Sequence, residues 1–195
     1  MPAPDASAIF AALDRELWIV TAAAPGGRRG GCVATFVLGP SLVPELPRAC
    51  VALARQHHTH DLVESSGAFA LHLLGERHLD WVWRFGIGSG RDGDKLGGLD
   101  VSAAATGSPI LKEALAWMDC RVEARCGIGD RTIYVAEVVD ASKPNAEPPL
   151  TVTGMVRLAP QDRLEQLERL LRRDRAIDAA AILEWRRGHA AGDSP

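Results

Sequence analysis

The sequence lacks an excess of positive charge, and it also lacks long apolar segments. Its 195 residues include 22 lysines and arginines against 25 aspartates and glutamates, which gives a formal net charge of −3. Proteins that bind nucleic acids or membrane surfaces depend on a basic face, so neither class of partner is expected. No apolar run reaches the roughly 18 residues that a membrane-spanning helix needs. The first ten residues, MPAPDASAIF, lack the charged-then-apolar order of a secretory signal, and we expect a cytoplasmic protein.

Recognisable metal-binding and dinucleotide-binding motifs are absent as well. The four cysteines show no C-x-x-C spacing and stand in apolar stretches, which favours structural thiols over disulfides or metal ligands. The histidines of residues 57–60 have no H-E-x-x-H pattern or cysteine partners, so no metal site is predicted. No G-x-G-x-x-G follows a strand, which disfavours a Rossmann domain.

What the sequence does contain is the composition of one sizeable globular domain, with 47% apolar and 24% charged residues. Apolar spacing predicts a helix over residues 6–16 that leads into a strand over 17–23. A glycine-rich basic turn at residues 25–30 predicts a hairpin with a second strand over 31–37. After a proline-rich break, residues 49–54 are predicted to form a third strand.

The middle of the chain alternates short helices with strands. The pattern predicts a helix over residues 58–65, a strand over 68–74 and a helix over 76–85. Between Met118 and Cys126 alternate residues are apolar, which predicts a strand with one face in solvent. This strand should pair with residues 132–139 across a Gly-Ile-Gly-Asp turn. Together these signals predict a mainly β (α+β) protein built on an antiparallel barrel with peripheral helices.

The end of the chain has a different pattern. Residues 142–149 form a proline-rich connector, and an apolar stripe that includes Leu164, Leu167 and Leu170 predicts a helix beyond Pro160. We therefore predict a main domain over residues 1–159 and a helical extension over 160–195 that packs on the same domain.

Seven segments, taken in order, resemble the flavin-reductase-like family. They are GCVATF (31–36), SLVP (41–44), HHT (57–59), ESSGAFALHLL (64–74), FGIGSGRDGDK (85–95), GSPILKEALAWMDCRV (107–122) and GDRTIYVAEV (129–138). The resemblance covers about residues 13–141 and implies an FMN-binding split β-barrel. It further implies a homodimer with FMN, or alternatively FAD, near the subunit interface, and hydride transfer to the flavin from NADH or NADPH.

The resemblance also implies where the flavin ring and ribityl chain lie. The matching positions are Ala34, Thr35, Phe36 and Val37, with Ser41 as a further hydroxyl. Backbone amides and small hydroxyls suit a flat apolar ring that is edged with donors and acceptors. The alternative is structural, because threonine favours strands and serine favours turns.

The cofactor phosphate is expected at the start of the helix predicted over residues 58–65, where free N–H groups and the helix dipole favour an anion. His58 and Thr59 are the candidate donors there, and Arg91 and Lys95 are the candidate cations. In the alternative, Thr59 only caps the helix, and both cations pair with the aspartates of their own loop, Asp92 and Asp94.

One departure from the family pattern concerns the nicotinamide site. Many relatives carry Gly-Asp-His where this chain has Gly129-Asp130-Arg131, and that histidine is associated with nicotinamide binding. Asp130 and Arg131 are therefore candidates for this site, although Asp130 also suits a turn. An arginine could contact a 2′-phosphate, so the choice between NADH and NADPH stays open.

The leading interpretation is an FMN-dependent NAD(P)H:flavin reductase that supplies a partner monooxygenase or another electron acceptor. Such a reaction needs no acid or base from the protein, because the cofactor supplies the reactive atom. Two alternatives are a protein that holds FMN as an electron carrier and a dimeric interaction module without cofactor. The apolar residues Trp81, Val82 and Trp83 fit either a dimer interface or the core.

Overall fold

The structure is a computed structural model and describes residues 6–144 and 146–190. The predictions for the first five residues, for Asn145 in the connector and for residues 191–195 of the extension lie outside this part. The strands are β1 (Trp18–Ala23), β2 (Arg29–Ala34), β3 (Val37–Leu38), β4 (Arg48–Ala54), β5 (Ala68–Leu73), β6 (Val101–Ala103), β7 (Pro109–Leu111), β8 (Ala116–Gly127) and β9 (Arg131–Ala141). The helices are α1 (Ala6–Ala11), α2 (His58–Ser66), α3 (Leu79–Gly86), α4 (Val152–Leu158) and α5 (Gln161–Ala190).

Seven of the strands form one antiparallel sheet in the order β2-β1-β5-β8-β9-β4-β3. The two edge strands, β2 and β3, are joined in the chain by Thr35 and Phe36 alone. Because extended chain spans at most about 3.6 Å per residue, this connection brings the opposite edges within about 11 Å. The sheet therefore curls back on itself, which confirms the predicted antiparallel split barrel with peripheral helices and a helical carboxyl-terminal segment.

Two apolar clusters hold the fold together. The first fills the barrel and includes the fully buried side chains of Phe69 and Tyr134. The second lies under α3, where Val82 and Trp83 are buried and Trp81 packs against them. Val82 and Trp83 therefore belong to the core of a single chain, and the half-buried Trp81 packs beside them.

Most predicted elements are present, with differences at their ends. The hairpins β1–β2 and β8–β9 are confirmed. The first helix ends at Ala11 rather than near residue 16, and α4 was not predicted. The signal for α4 was Thr151, whose hydroxyl accepts a hydrogen bond from the Gly154 N–H at 3.1 Å as a helix cap.

The alternation predicted for β8 is wrong in two places. Asp119, expected in solvent, is fully buried, whereas Ala124 and Cys126 are exposed. The register against β9 shifts between Asp119 and Cys120 and again between Val122 and Ala124. Such bulges add a residue to one strand and change which face the following side chains occupy. All four cysteines are free thiols, and Cys126 lacks the apolar surroundings that the sequence suggested.

Replacing Asp119 by alanine is expected to lower the free energy of unfolding by about 2–3 kcal/mol. Its carboxylate accepts hydrogen bonds from the Thr106 N–H at 2.8 Å and the Thr106 hydroxyl at 2.5 Å, and both donors would lose their charged partner. Urea denaturation measures the loss. Asp140→Ala, at an exposed position opposite Asp119 on β9, is the matched control. Equal losses in the two variants would show that the buried carboxylate is not stabilising.

Helix α5 contains 30 residues and is about 45 Å long. Leu164 and Leu167, near its beginning, pack against the second apolar cluster. Among the helices of the described residues, none has both the length and the apolar character that crossing a membrane requires.

Candidate functional site

A cleft of about 620 Å³ lies between the β1–β2 turn, the start of α2 and the loop that follows α3. Its size is in the range usual for sites that bind small molecules and cofactors. The lining residues are Gly27, Arg28, Arg29, His58, Gly90, Arg91, Asp92, Gly93 and Asp94. The cleft thus brings together His58 and Arg91, two of the residues predicted to contact a phosphate.

Arg91 is held at the start of α2 by two hydrogen bonds. Its Nη1 donates to the carbonyl of Gln56 at 2.9 Å, and its Nη2 donates to the carboxylate of Asp61 at 2.6 Å. The proposed pairing of Arg91 with the aspartates of its own loop is therefore wrong. Asp94 instead accepts from Arg29 at 3.1 Å, which joins the loop to the β1–β2 turn.

Two glycines make room for His58. A Cβ at Gly90 would lie 2.9 Å from Cδ2 of the imidazole, and one at Gly30 would lie 3.4 Å from the same atom. Burial and then the charge of Arg91 lower the pKa of His58. The ring is accordingly neutral near pH 7 and has one N–H to donate toward an anion.

Thr59 is not the cap of α2. The capping residue is His57, which has extended backbone and, among the described residues, no side-chain capping bond. Thr59 is the second residue of the helix, is 2% exposed, and lies beside the thiol of Cys32. Both the capping role and a place in the cleft are therefore unsupported for this side chain.

Lys95 also lies apart from the cleft. Its Nζ donates to the carbonyl of Phe85 at 2.8 Å and to that of Gly31 at 3.4 Å. The residue is 9% exposed, and burial lowers its pKa. Lys95 therefore fastens its loop to α3 and β2 instead of pairing with Asp92 or Asp94.

The predicted ring-binding segment lies at the other end of β2. Ala34 is buried, Thr35 and Val37 are half-buried, and Phe36 is 44% exposed. The guanidinium carbons of Arg15 and Arg131 lie 5.1 and 5.5 Å from the centre of the Phe36 ring, within cation–π distance. The connection between β2 and β3 thus presents the Phe36 ring with the guanidinium groups of Arg15 and Arg131 beside it.

Ser41 has a local role in the loop after β3. Its hydroxyl donates to the carbonyl of Leu46 at 3.0 Å and accepts from the Val43 N–H at 3.2 Å. This arrangement is the turn geometry expected of a serine under the structural alternative to flavin contact.

Arg131 is held by two carboxylates. Its Nη1 donates to Asp130 and, at 2.9 Å, to Asp178 of α5. The carbonyl of Asp130 accepts from the Arg55 N–H at 3.0 Å, which fastens this turn to the segment before α2. Arg131 is therefore fixed in place beside Phe36.

The two ends of the site are connected through Gln56. Its carbonyl accepts from Arg91, and its amide donates to Asp178 at 3.1 Å, which in turn binds Arg131. Sequence reasoning missed Arg15, Gln56 and Asp178. It noted the basic turn that contains Arg28 and Arg29 without assigning it to the site. Within the described part of the chain, no group of three metal-ligand side chains comes together.

Comparison with known proteins agrees with this architecture. Residues 10–157 match the family model described as "Flavin reductase like domain", so the chain belongs to this family and is an oxidoreductase of the flavin-reductase type.

Two curated relatives and one solved structure show how close the similarity is. The chain is 31% identical over 134 residues to a ferric-chelate reductase (NAD(P)H) of Archaeoglobus fulgidus, covering 68% of this chain and 78% of that protein. It is 30% identical over 122 residues to an FMN reductase (NADH) of Pseudomonas syringae, covering 63% and 66%. Nitrilotriacetate monooxygenase component B from Mycobacterium thermoresistibile superposes with a TM-score of 0.64 and 26% identity, over 73% of this chain and 78% of that one. For three other relatives, the chain matches between 22% and 65% of their length.

Proposed function

We propose that this protein is a flavin reductase that binds FMN and passes hydride to it from NADH or NADPH. The observation that carries the proposal is the position of the basic cleft and the Phe36 segment at opposite ends of β2. Five residue steps from Arg29 to Ala34 correspond to about 17 Å of strand. A mononucleotide with a flat ring at one end and a phosphate at the other suits this arrangement.

The cleft supplies the groups that a phosphate needs. Arg28, Arg29 and Arg91 offer charge-assisted hydrogen bonds, and His58 offers a ring N–H. Arg28 forms no ion pair with any residue in 6–144 or 146–190, so its charge is free for a ligand. The start of α2 adds its unpaired N–H groups and the positive end of the helix dipole.

The Phe36 segment supplies the surface that a flavin ring needs. Backbone groups of Ala34 and Val37, the Thr35 hydroxyl and the exposed Phe36 ring would border the flavin, with Arg131 beside them. Bound FMN would provide the hydride acceptor, and the protein would orient the two rings and exclude water. Arg131 and Asp130 would border the nicotinamide.

We further propose that the protein works as a homodimer. The segment after Phe36 exposes Leu38, Leu42 and Leu46 at 71%, 98% and 68%. Exposed apolar side chains that are close in the chain are typical of an interaction surface. A second copy on this surface would cover the ring end of the site, and an electron acceptor or a partner monooxygenase would then take the reduced flavin.

Saturable quenching of FMN fluorescence by micromolar purified protein, followed by FMN-dependent oxidation of NADH or NADPH, is the expected result. A reductase should lose FMN on gel filtration, whereas an electron carrier should retain it. The absence of quenching at high micromolar protein would contradict both flavin-dependent functions and favour an interaction module.

A further inference from the structure

Helix α5 lies across the connection between the two ends of the proposed flavin site. Its Asp178 accepts hydrogen bonds from Gln56 at 3.1 Å and from Arg131 at 2.9 Å. One turn earlier, a carboxylate oxygen of Asp174 lies 3.9 Å from Nε2 of His57. The helix therefore places the carboxylates of Asp174 and Asp178 next to side chains of the proposed site.

The helix also touches the turn that precedes Arg131. Gly129 has a φ of +96°, and a Cβ there would lie 2.9 Å from Cβ of Trp185 and 3.0 Å from the carbonyl oxygen of Ala181. Only a glycine permits both this backbone conformation and this close approach. The second half of α5 is therefore seated directly on the predicted nicotinamide turn.

The contact of this part of α5 with the domain combines the polar groups with the Trp185 contact at Gly129, and it is limited in extent. The first half of α5 is anchored by Leu164 and Leu167 in the second apolar cluster, whereas Ile177 and Leu183 farther along are 42% and 58% exposed. The contact between Asp174 and His57 is long, at 3.9 Å, and both side chains of the Asp178–Arg131 pair keep partial contact with solvent. The anchored end can therefore stay in place while the distal half leaves the turn.

An anionic ligand at this place would have to compete with the helix. A phosphate or pyrophosphate that approached His57 and Arg131 would meet Asp174 and Asp178, and like charges repel across such distances. A nicotinamide ring beside Arg131 would meet the same helix at Gly129.

We propose that residues 174–185 of α5 form a lid on the flavin site. Asp174 and Asp178 lie beside His57, Gln56 and Arg131, between the cleft that would hold the FMN phosphate and the turn that would border the nicotinamide, and binding of FMN and the nicotinamide nucleotide displaces them. The lid rests on the proposed function, because the flavin nucleotide would span the two ends of the site that this helix connects. Removal of the lid should raise the affinity for FMN, because the apparent dissociation constant equals the intrinsic dissociation constant divided by the fraction of molecules in which the lid is open.

The first test replaces the two carboxylates by amides of the same size, Asp174→Asn with Asp178→Asn. The dissociation constant for FMN, measured by fluorescence quenching, should fall about tenfold. Amide hydrogen exchange of residues 174–185 should rise in this variant, and in the unaltered protein it should rise when FMN and NADH are added. The matched control is Asp162→Asn with Glu168→Gln, which removes two negative charges from exposed positions of the same helix.

A second variant loosens the helix without a change of charge. Trp185→Ala removes the side chain that lies against Gly129, and it should increase both exchange and FMN affinity in the same direction. Two results together would overturn the proposal. They are hydrogen exchange of residues 174–185 that FMN binding leaves unchanged or lowers, and variants that bind FMN no more tightly than the control. Helix α5 would then be a fixed part of the site.

Failure of the flavin function can be recognised separately. If neither FMN nor NADH binds the unaltered protein, hydrogen exchange is measured with millimolar pyrophosphate as the probe. Faster exchange of residues 174–185 would then support a lid that opens for anions without a flavin function. Unchanged exchange would overturn the lid as well.

Discussion

Replacing Arg91 by alanine is expected to raise the dissociation constant for FMN about 10- to 100-fold. Arg91 lines the cleft, and its guanidinium is already oriented by the Gln56 carbonyl and the Asp61 carboxylate. A charge-assisted hydrogen bond to a phosphate contributes about 1.5–3 kcal/mol, which corresponds to this range of affinity. The fold should be little affected, because the pair with Asp61 is about half exposed on both sides.

Fluorescence titration compares this variant with Arg121→Ala, which breaks a similarly exposed arginine pair, with Glu137 on the β8–β9 hairpin. Arg91→Lys adds a further comparison. Lysine keeps the charge but loses the planar fork of donors. The affinity of the Arg91→Lys variant for FMN should therefore lie between those of the Arg91→Ala and Arg121→Ala variants. Equal dissociation constants for the Arg91→Ala and Arg121→Ala variants would place the flavin phosphate elsewhere and remove the cleft from the proposed site.

Acidification from pH 7 to pH 4 is expected to lower the free energy of unfolding by about 3 kcal/mol through His72 alone. The ring is fully buried in β5, with Nδ1 donating to the Ile19 carbonyl at 3.1 Å and Nε2 accepting from the Leu111 N–H at 3.0 Å. Burial lowers the pKa of His72 from 6.5 to about 4. In the unfolded chain the imidazole therefore takes up a proton as the pH falls through 6.5, whereas in the folded chain it stays neutral until about pH 4.

His72 is a base whose pKa is lower in the folded than in the unfolded chain. Its contribution to the free energy of unfolding is therefore fully present above pH 6.5 and is lost as the pH falls toward 4. Urea denaturation at pH 7 and at pH 4 measures the loss. His72→Gln cannot titrate and is the comparison, because its amide can still donate and accept. Other histidines with lowered pKa values contribute equally in both proteins. The same loss in the variant and in the unaltered protein would show that His72 is not responsible.

The fold could be predicted from the sequence where the signals are local. Both hairpins are marked by glycine turns between apolar strands, and the ordered resemblance gives the barrel that unites them. The face of β8 could not be predicted, because two bulges shift its register and carry Asp119 inside. A bulge depends on how two strands pair, and the pairing is a property of the folded sheet.

The site was predictable to a similar degree. His58 and Arg91 meet in one cleft, as the sequence suggested. Lys95 does not join them, because its apolar stem runs inward and its amine meets buried carbonyls. The contact between Arg131 and Asp178 joins positions 47 residues apart, and nothing in the local pattern of either segment indicates the other.

The order of strands has a consequence for how the chain reaches this state. Among the long pairings of the seven-stranded sheet, β1–β2 and β8–β9 are local hairpins, and the others join Trp18 to Leu73, Ala68 to Arg121 and Arg48 to Glu137. Pairings between such distant positions make folding slow. The last long strand made during synthesis, β9, stands in the middle of the sheet between β8 and β4. The amino-terminal strands therefore cannot become part of the closed sheet until the chain has been synthesised as far as the end of β9 at Ala141.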